Sequence, residues 1–275
     1  MKTFIVTKRQ VTIASLCLVF AASLLCASLF CQSAPTSEKP VPTSSKPCTN
    51  WGLNYNNGIG KPPTGNASAS VLKAFNSYFI GDTNKKSVFL TFDAGYENGF
   101  TNSILDTLKQ QKIKAAFFIV GHYVKTNPDL VRRMVEEGHI VGNHTCNHPD
   151  MSKISDFESF EKETLTLEEL FKKATNKEMD KFYRPPCGKY SKNNLEHAQR
   201  SGFTTIFWSL AHKDWLVDNQ PSEKEALEKL ITRIHPGAII LLHSTSKTNT
   251  LILNNFISRI KDMGYNFESL HNLPK

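Results

Sequence analysis

The sequence predicts an α/β fold built on a parallel sheet, and three observations predict it. From Lys85 onward, short apolar runs alternate with stretches of helical periodicity. The apolar runs are continuous rather than alternating, the pattern of strands covered on both faces. Five runs end on an ionisable residue, as happens when the C-terminal ends of parallel strands share one functional rim. Six or seven strand–helix units in about 190 residues suit a barrel or a doubly wound sheet.

Taken in order, the chain begins with Lys2, Lys8 and Arg9, followed by an uncharged apolar run from Val11 to Cys31. That run is long enough to cross a bilayer as a helix, so residues 1–32 are read as a membrane anchor or signal segment. Its length favours an uncleaved anchor, and cleavage would instead leave a secreted protein. The basic flank stays inside, which places the remainder outside the cell membrane, facing the cell wall. Residues 33–47, SAPTSEKPVPTSSKP, have no apolar periodicity and read as a disordered linker. Residues 48–84 form a lead-in that packs on the following domain and carries one helical stretch, SVLKAFNSYF.

Residues 85–275 hold the alternating units. Strands are expected at SVFLTF, KAAFFIV, HIVGN, KFYRP, TTIFWSL and AIILL, with YNFESL as a last one. Helices are expected at NSILDTLKQQ, PDLVRRMVEEG, FESFEKETLTLEELFKKAT, KNNLEHAQRSG, EKEALEKLITRI and LILNNFISRIKDMG.

Charge excludes some partners. The net charge of +8 divides equally, because residues 1–47 carry five basic residues and one acid. What remains is a mildly basic domain without a basic, aromatic-interleaved stretch, which argues against nucleic acid and permits an anionic wall polymer. Three cysteines lie in the apolar leader; Cys48, Cys146 and Cys187 remain, an odd number at no framework spacing.

The strand ends carry the chemistry. The expected strands lead to Asp93, His144, Arg184, Asp214 and His243, which topology would gather at one rim. His144 and His148 stand four apart; on a helical turn both imidazoles would face one side, as a divalent metal requires. No HExxH, GxSxG, P-loop or GxGxxG is present. Metal-assisted hydrolysis remains, with Asp93 as base and His243 as acid.

In order, TFDxG, HTxxH, RPPxG, DW and LLH resemble the five motifs of the polysaccharide deacetylase (NodB-homology) superfamily, over about residues 85–270. The strings FDAGYENG, SLAHKDW and LLHSTSKTN further resemble the delta-lactam-biosynthetic de-N-acetylases of spore-forming bacteria. This resemblance implies an irregular (β/α)7-type barrel and deacetylation of N-acetylmuramic acid in peptidoglycan glycan strands, towards the muramic delta-lactam of spore cortex. It implies a divalent cation, zinc before manganese or cobalt, held by His144 and His148, and a monomeric enzyme. Asp93 would deprotonate the attacking water and Arg184 would orient its carboxylate. Asp214 would pair with His243, the acid that protonates the leaving amine. Trp215 and Leu242 would wall the slot for the acetyl methyl group, and a backbone N–H near Cys187 would face the oxyanion. Trp215 as a plain core residue and Arg184–Asp93 as a plain ion pair are the alternatives.

One departure stands out. Most of the superfamily reads TFDDG, and the second Asp is a metal ligand, but here the position is Ala94. Its loss would weaken metal binding, leave a coordination site to water, or make room for the lactyl group of muramic acid. Glu97 and Asp93 are candidate replacements. Asn98, in the loop after Asp93, is a candidate contact to that lactyl group. Cys146 is expected to point away from the metal. Alternative readings are a deacetylase of N-acetylglucosamine polymers or acetylxylan, and an inactive wall-binding module.

Overall fold

The structure is a computed structural model that describes residues 48–274; the segment 1–32 and the linker 33–47 lie outside the described residues. Among the described residues no helix is long and apolar enough to cross a membrane.

The lead-in contains three short strands, β1 (Thr49–Asn50), β2 (Leu53–Asn54) and β3 (Thr64–Gly65), then helix α1 (Ala69–Lys73) and strand β4 (Ser77–Tyr78). The alternation expected from sequence then begins with β5 (Ser87–Ala94), α2 (Thr101–Gln110) and β6 (Ala116–Ile119). Helices α3 (Gly121–Thr126) and α4 (Pro128–Glu136) lead to β7 (Ile140–Asn143), α5 (Phe157–Thr175) and β8 (Phe182–Tyr183). Strand β9 (Lys189–Tyr190) and α6 (Lys192–Arg200) precede β10 (Thr204–Ile206) and β11 (Leu210–Ala211). The chain finishes with α7 (Glu223–Arg233), β12 (Ala238–His243), α8 (Lys247–Asp262) and β13 (Asn266–Phe267).

One parallel sheet runs in the order β11-β12-β5-β6-β7-β8-β10-β4, and β13 pairs with the start of β5. An antiparallel bridge between Ile80 and Ala238 brings the chain after edge strand β4 back to β12. The sheet thus curls into a distorted barrel. The lead-in does more than pack on this barrel: its β4 is a strand of it.

Two elements differ from expectation for local reasons. SVLKAFNSYF is helical only to Lys73, because Asn76 takes a left-handed φ of 49° and releases Ser77 and Tyr78 to pair with β10. TTIFWSL, expected as one strand, breaks in two because its partners change. The N–H of Phe207 still donates to the Tyr78 carbonyl, whereas that of Ser209 donates to Ile239 in β12.

Side-chain parity in the central strands decides what reaches the site. Val88, Leu90, Phe92 and Ala94 of β5 join Ala238, Ile240 and Leu242 of β12 in the core between sheet and helices. Phe89 and Ile239, of opposite parity, pack in the barrel interior with Ala116, Phe118 and Ile206. Continuing that inner parity along each strand gives Thr91 then Asp93 on β5, and Leu241 then His243 on β12. His243 and Asp93 are register partners. The ionisable pair therefore sits at the C-terminal mouth of the barrel, on top of an apolar interior.

Candidate active site

Arg184 crosses the barrel interior with no exposed surface. Its Nε donates to the Ile206 carbonyl at 3.0 Å, Nη2 to Thr91 Oγ1 at 2.9 Å, and Nη1 to Asp93 Oδ1 at 2.7 Å. The guanidinium also lies 4.1 Å from the Phe118 ring centroid. Every contact fixes the plane that presents Nη1 to Asp93. Burial raises the Asp93 pKa, but the charge of Arg184 above all outweighs it and holds the carboxyl below its ordinary range. Asp93 is thus an ionised carboxylate, one oxygen on Arg184 and Oδ2 3.6 Å from His144 Nε2.

His144 follows β7. Its Nδ1 lies 2.8 Å from the Arg184 carbonyl oxygen, which only accepts, so Nδ1 carries the proton and the Nε2 lone pair is free. The segment from His144 to His148 is not the helical turn expected from the spacing. Thr145 and His148 have φ of 70° and 56°, and this irregular loop brings the two rings to 5.0 Å between centroids. Glu163 of α5 clamps the loop through the N–H and amide of Asn147. Cys146 borders the cavity, but its side chain is buried in the helix-side core beside Gly121. Burial drives His144 down to about 4 and also lowers His148, so both imidazoles are neutral.

His243 faces this group. Its Nδ1 lies 2.8 Å from Asp214 Oδ1, and its N–H donates to Asp214 Oδ2 at 2.8 Å. Asn249 Nδ2 donates to the same Oδ2 at 2.5 Å, and Asn249 Oδ1 is 2.9 Å from His212 Nε2. Burial disfavours the imidazolium, but Asp214 and then Asp93 outweigh it and raise the His243 pKa above 6.5. A carboxylate held ionised thus stands beside an imidazole whose protonated form is favoured, an arrangement suited to general base–acid work.

A cavity of about 850 Å³ opens over these groups, lined by Asp93, His144, His148, Cys187, Trp215 and His243 among others. Trp215 is 51% exposed, which sets aside its reading as core, and its ring centroid is 5.8 Å from that of His243. Leu242 is not a wall residue. By parity it packs towards the helices, and Leu241 lines the cavity instead. Asn98 does not line the cavity either, because its Nδ2 donates to the Thr245 carbonyl at 3.0 Å. Glu97 is no replacement ligand. Its carboxylate accepts from the Thr101 N–H and hydroxyl and from Tyr123 Oη, tying the β5–α2 turn to two helices.

Of the loop from Tyr96 to Gly99, expected beside the lactyl group, Tyr96 lines the cavity; sequence reading missed His122, Lys125, Asn147 and Trp208 as lining residues, and Asn249 and His212 as supports of Asp214. The short α3, which contributes His122 and Lys125, has too little periodicity to announce itself. Asn249 and His212 lie inside the quoted motif strings, where a buried polar partner for Asp214 was the available signal.

The Polysaccharide deacetylase family profile matches residues 80–206. The chain is 37% identical over 252 residues to the peptidoglycan-N-acetylmuramic acid deacetylase PdaA of Bacillus subtilis, covering 91% of this chain and 94% of that protein. The chain belongs to the polysaccharide deacetylase family. The solved structure of Bacillus subtilis PdaA, a family 4 carbohydrate esterase, matches it with a TM-score of 0.77 and 38% identity, covering 82% of this chain and 96% of that one. A Bacillus cereus peptidoglycan-N-acetylglucosamine deacetylase is 34% identical over 196 residues, 70% of each chain.

Polysaccharide deacetylases are hydrolases of amide C–N bonds and are typically metal-dependent. The donors here fit a divalent cation at two positions: neutral His144 with a free Nε2, and neutral His148 beside it. Among the described residues, no three His, Cys, Asp or Glu side chains form an ion-holding group. Ala94 supplies no donor. It lies in β5 with no exposed surface, in the helix-side core.

Proposed function

We propose that the protein removes the acetyl group from N-acetylmuramic acid residues in peptidoglycan glycan strands, towards the muramic delta-lactam of spore cortex. The observation that carries the chemistry is that Asp93, kept ionised by Arg184, and His243, whose protonated form Asp214 favours, stand side by side at the mouth of one cavity. Asp93 takes a proton from the attacking water while Arg184 fixes the direction of its free oxygen. The water oxygen bonds to the acetamide carbon, the C–N bond breaks, and His243 delivers its proton to the departing nitrogen. The products are acetate and the free amine. A divalent cation held by His144 and His148, zinc by our reading, would polarise the carbonyl and acidify water. Trp215 and Leu241 border the acetyl group.

Muramic acid is favoured over glucosamine by the extent of similarity: the named muramic acid deacetylase matches over 91% of the chain, the glucosamine deacetylase over 70%. Ala94 adds no support of its own, since it is buried in the helix-side core and does not line the cavity. The protein would act as an exported monomer, held at the membrane by residues 1–32 or secreted after their removal.

Acetate release tests this reading. The purified protein should release acetate from muramoyl residues of glycan strands, lose that activity on chelation, and release little from chitin oligomers. Equal rates on the two substrates would replace it with a general glucosamine deacetylase.

A further inference from the structure

We propose that Tyr96 is a sugar-binding platform, its ring covering the face of the pyranose next to the one being deacetylated. The site would then read a glycan strand rather than a single sugar. This rests on the reading of the cavity as a glycan deacetylase site and adds a residue to it.

The loop that carries Tyr96 is held from both sides. Glu97 accepts hydrogen bonds from Thr101 and Tyr123, and Asn98 donates to the Thr245 carbonyl. Between these anchors and the end of β5, Tyr96 is 43% exposed and lines the cavity, and its hydroxyl has no partner among the described residues. A large aromatic left open on a fixed loop contributes little to the core. Its apolar face and polar tip match a sugar ring, which has an apolar C–H face and polar edges. Because the loop is already anchored, binding orders little more than the side chain itself.

The placement gives the direction of the strand. Trp215 rises from the loop after β11, and Tyr96 from the loop after β5, with β12 and its His243 between them. At ordinary strand spacing β11 and β5 lie about 10 Å apart. The sugar whose nitrogen meets His243 therefore lies between the two aromatics, and its neighbour on the β5 side passes over Tyr96. Gly95 leaves that side open, since a Cβ there would meet nothing within 4 Å.

The test compares kcat/KM on muramoyl glycan disaccharides and tetrasaccharides, with chitin oligomers of the same lengths in parallel. In Tyr96→Ala the tetrasaccharide-to-disaccharide ratio should fall about tenfold, through KM rather than kcat, and Tyr96→Phe should recover it. Thermal melts of both variants confirm folding. A ratio unchanged in folded Tyr96→Ala overturns the platform, as does a loss that Tyr96→Phe does not recover. If chitin oligomers alone are turned over, the muramic acid reading fails while the length ratio on them still decides the role of Tyr96.

Discussion

At the scale of single residues, the site depends on two protonation states being kept opposite. Asp93→Asn and His243→Ala should each lower kcat/KM by about 10²–10⁴, since each removes a group that acts in the transition state. The pH profile should follow the directions of the shifts. On the acid side, activity requires ionised Asp93, held below its ordinary 3.8, and neutral His144, pushed down to about 4. On the alkaline side it requires protonated His243, whose pKa is raised above 6.5, so activity should fall only as pH rises through that higher value. In Asp214→Asn the chief support of the imidazolium is gone and burial prevails, which should move the alkaline limb to lower pH. An alkaline limb unmoved in that variant would show that His243 is not the group titrating.

At the scale of elements, strand parity and loop anchoring decide which side chains reach the cavity. The sequence announced the strand ends well, because a continuous apolar run followed by an acid or a histidine has few other readings. Parity was not legible from those runs, since both faces are apolar, and Leu242 was therefore expected where Leu241 stands. The HTCNH segment was misread for another reason. The i, i+4 spacing suits a helix, yet Thr145 and His148 adopt left-handed conformations, their N–H groups donating to Asn143 Oδ1 and Thr145 Oγ1 while Glu163 clamps Asn147 between them. Glu97 offers a direct check on the anchoring. Glu97→Gln should lower stability by about 1–3 kcal/mol, because Tyr123 Oη and Thr101 are buried partners of the carboxylate. The two limbs of its pH profile should stay in place; a displaced acid limb would return Glu97 to the chemistry. Ala94 gives a second check. Ala94→Asp sets a carboxylate in an apolar cluster, costing about 3–5 kcal/mol in chelated protein. If its oxygens reach a cation at His144 and His148, zinc should restore the melting midpoint. Equal destabilisation with and without zinc would show that the side chain at this position does not join the ligands.

At the scale of the whole molecule, a curled parallel sheet converts five separated sequence motifs into one mouth. Its alternation was readable because each unit carries its own apolar signal. Its closure was not, because it rests on β4 and the Ile80–Ala238 bridge, elements of two residues and one that carry no periodicity. The central claim is that this mouth deacetylates muramic acid within a glycan strand, and mass analysis of the sugars of treated peptidoglycan tests it most directly. The account predicts loss of acetyl from muramoyl residues, abolished in Asp93→Asn and in His144→Ala that remain folded. Acetyl loss confined to glucosamine residues, or full activity in folded His144→Ala, would contradict it.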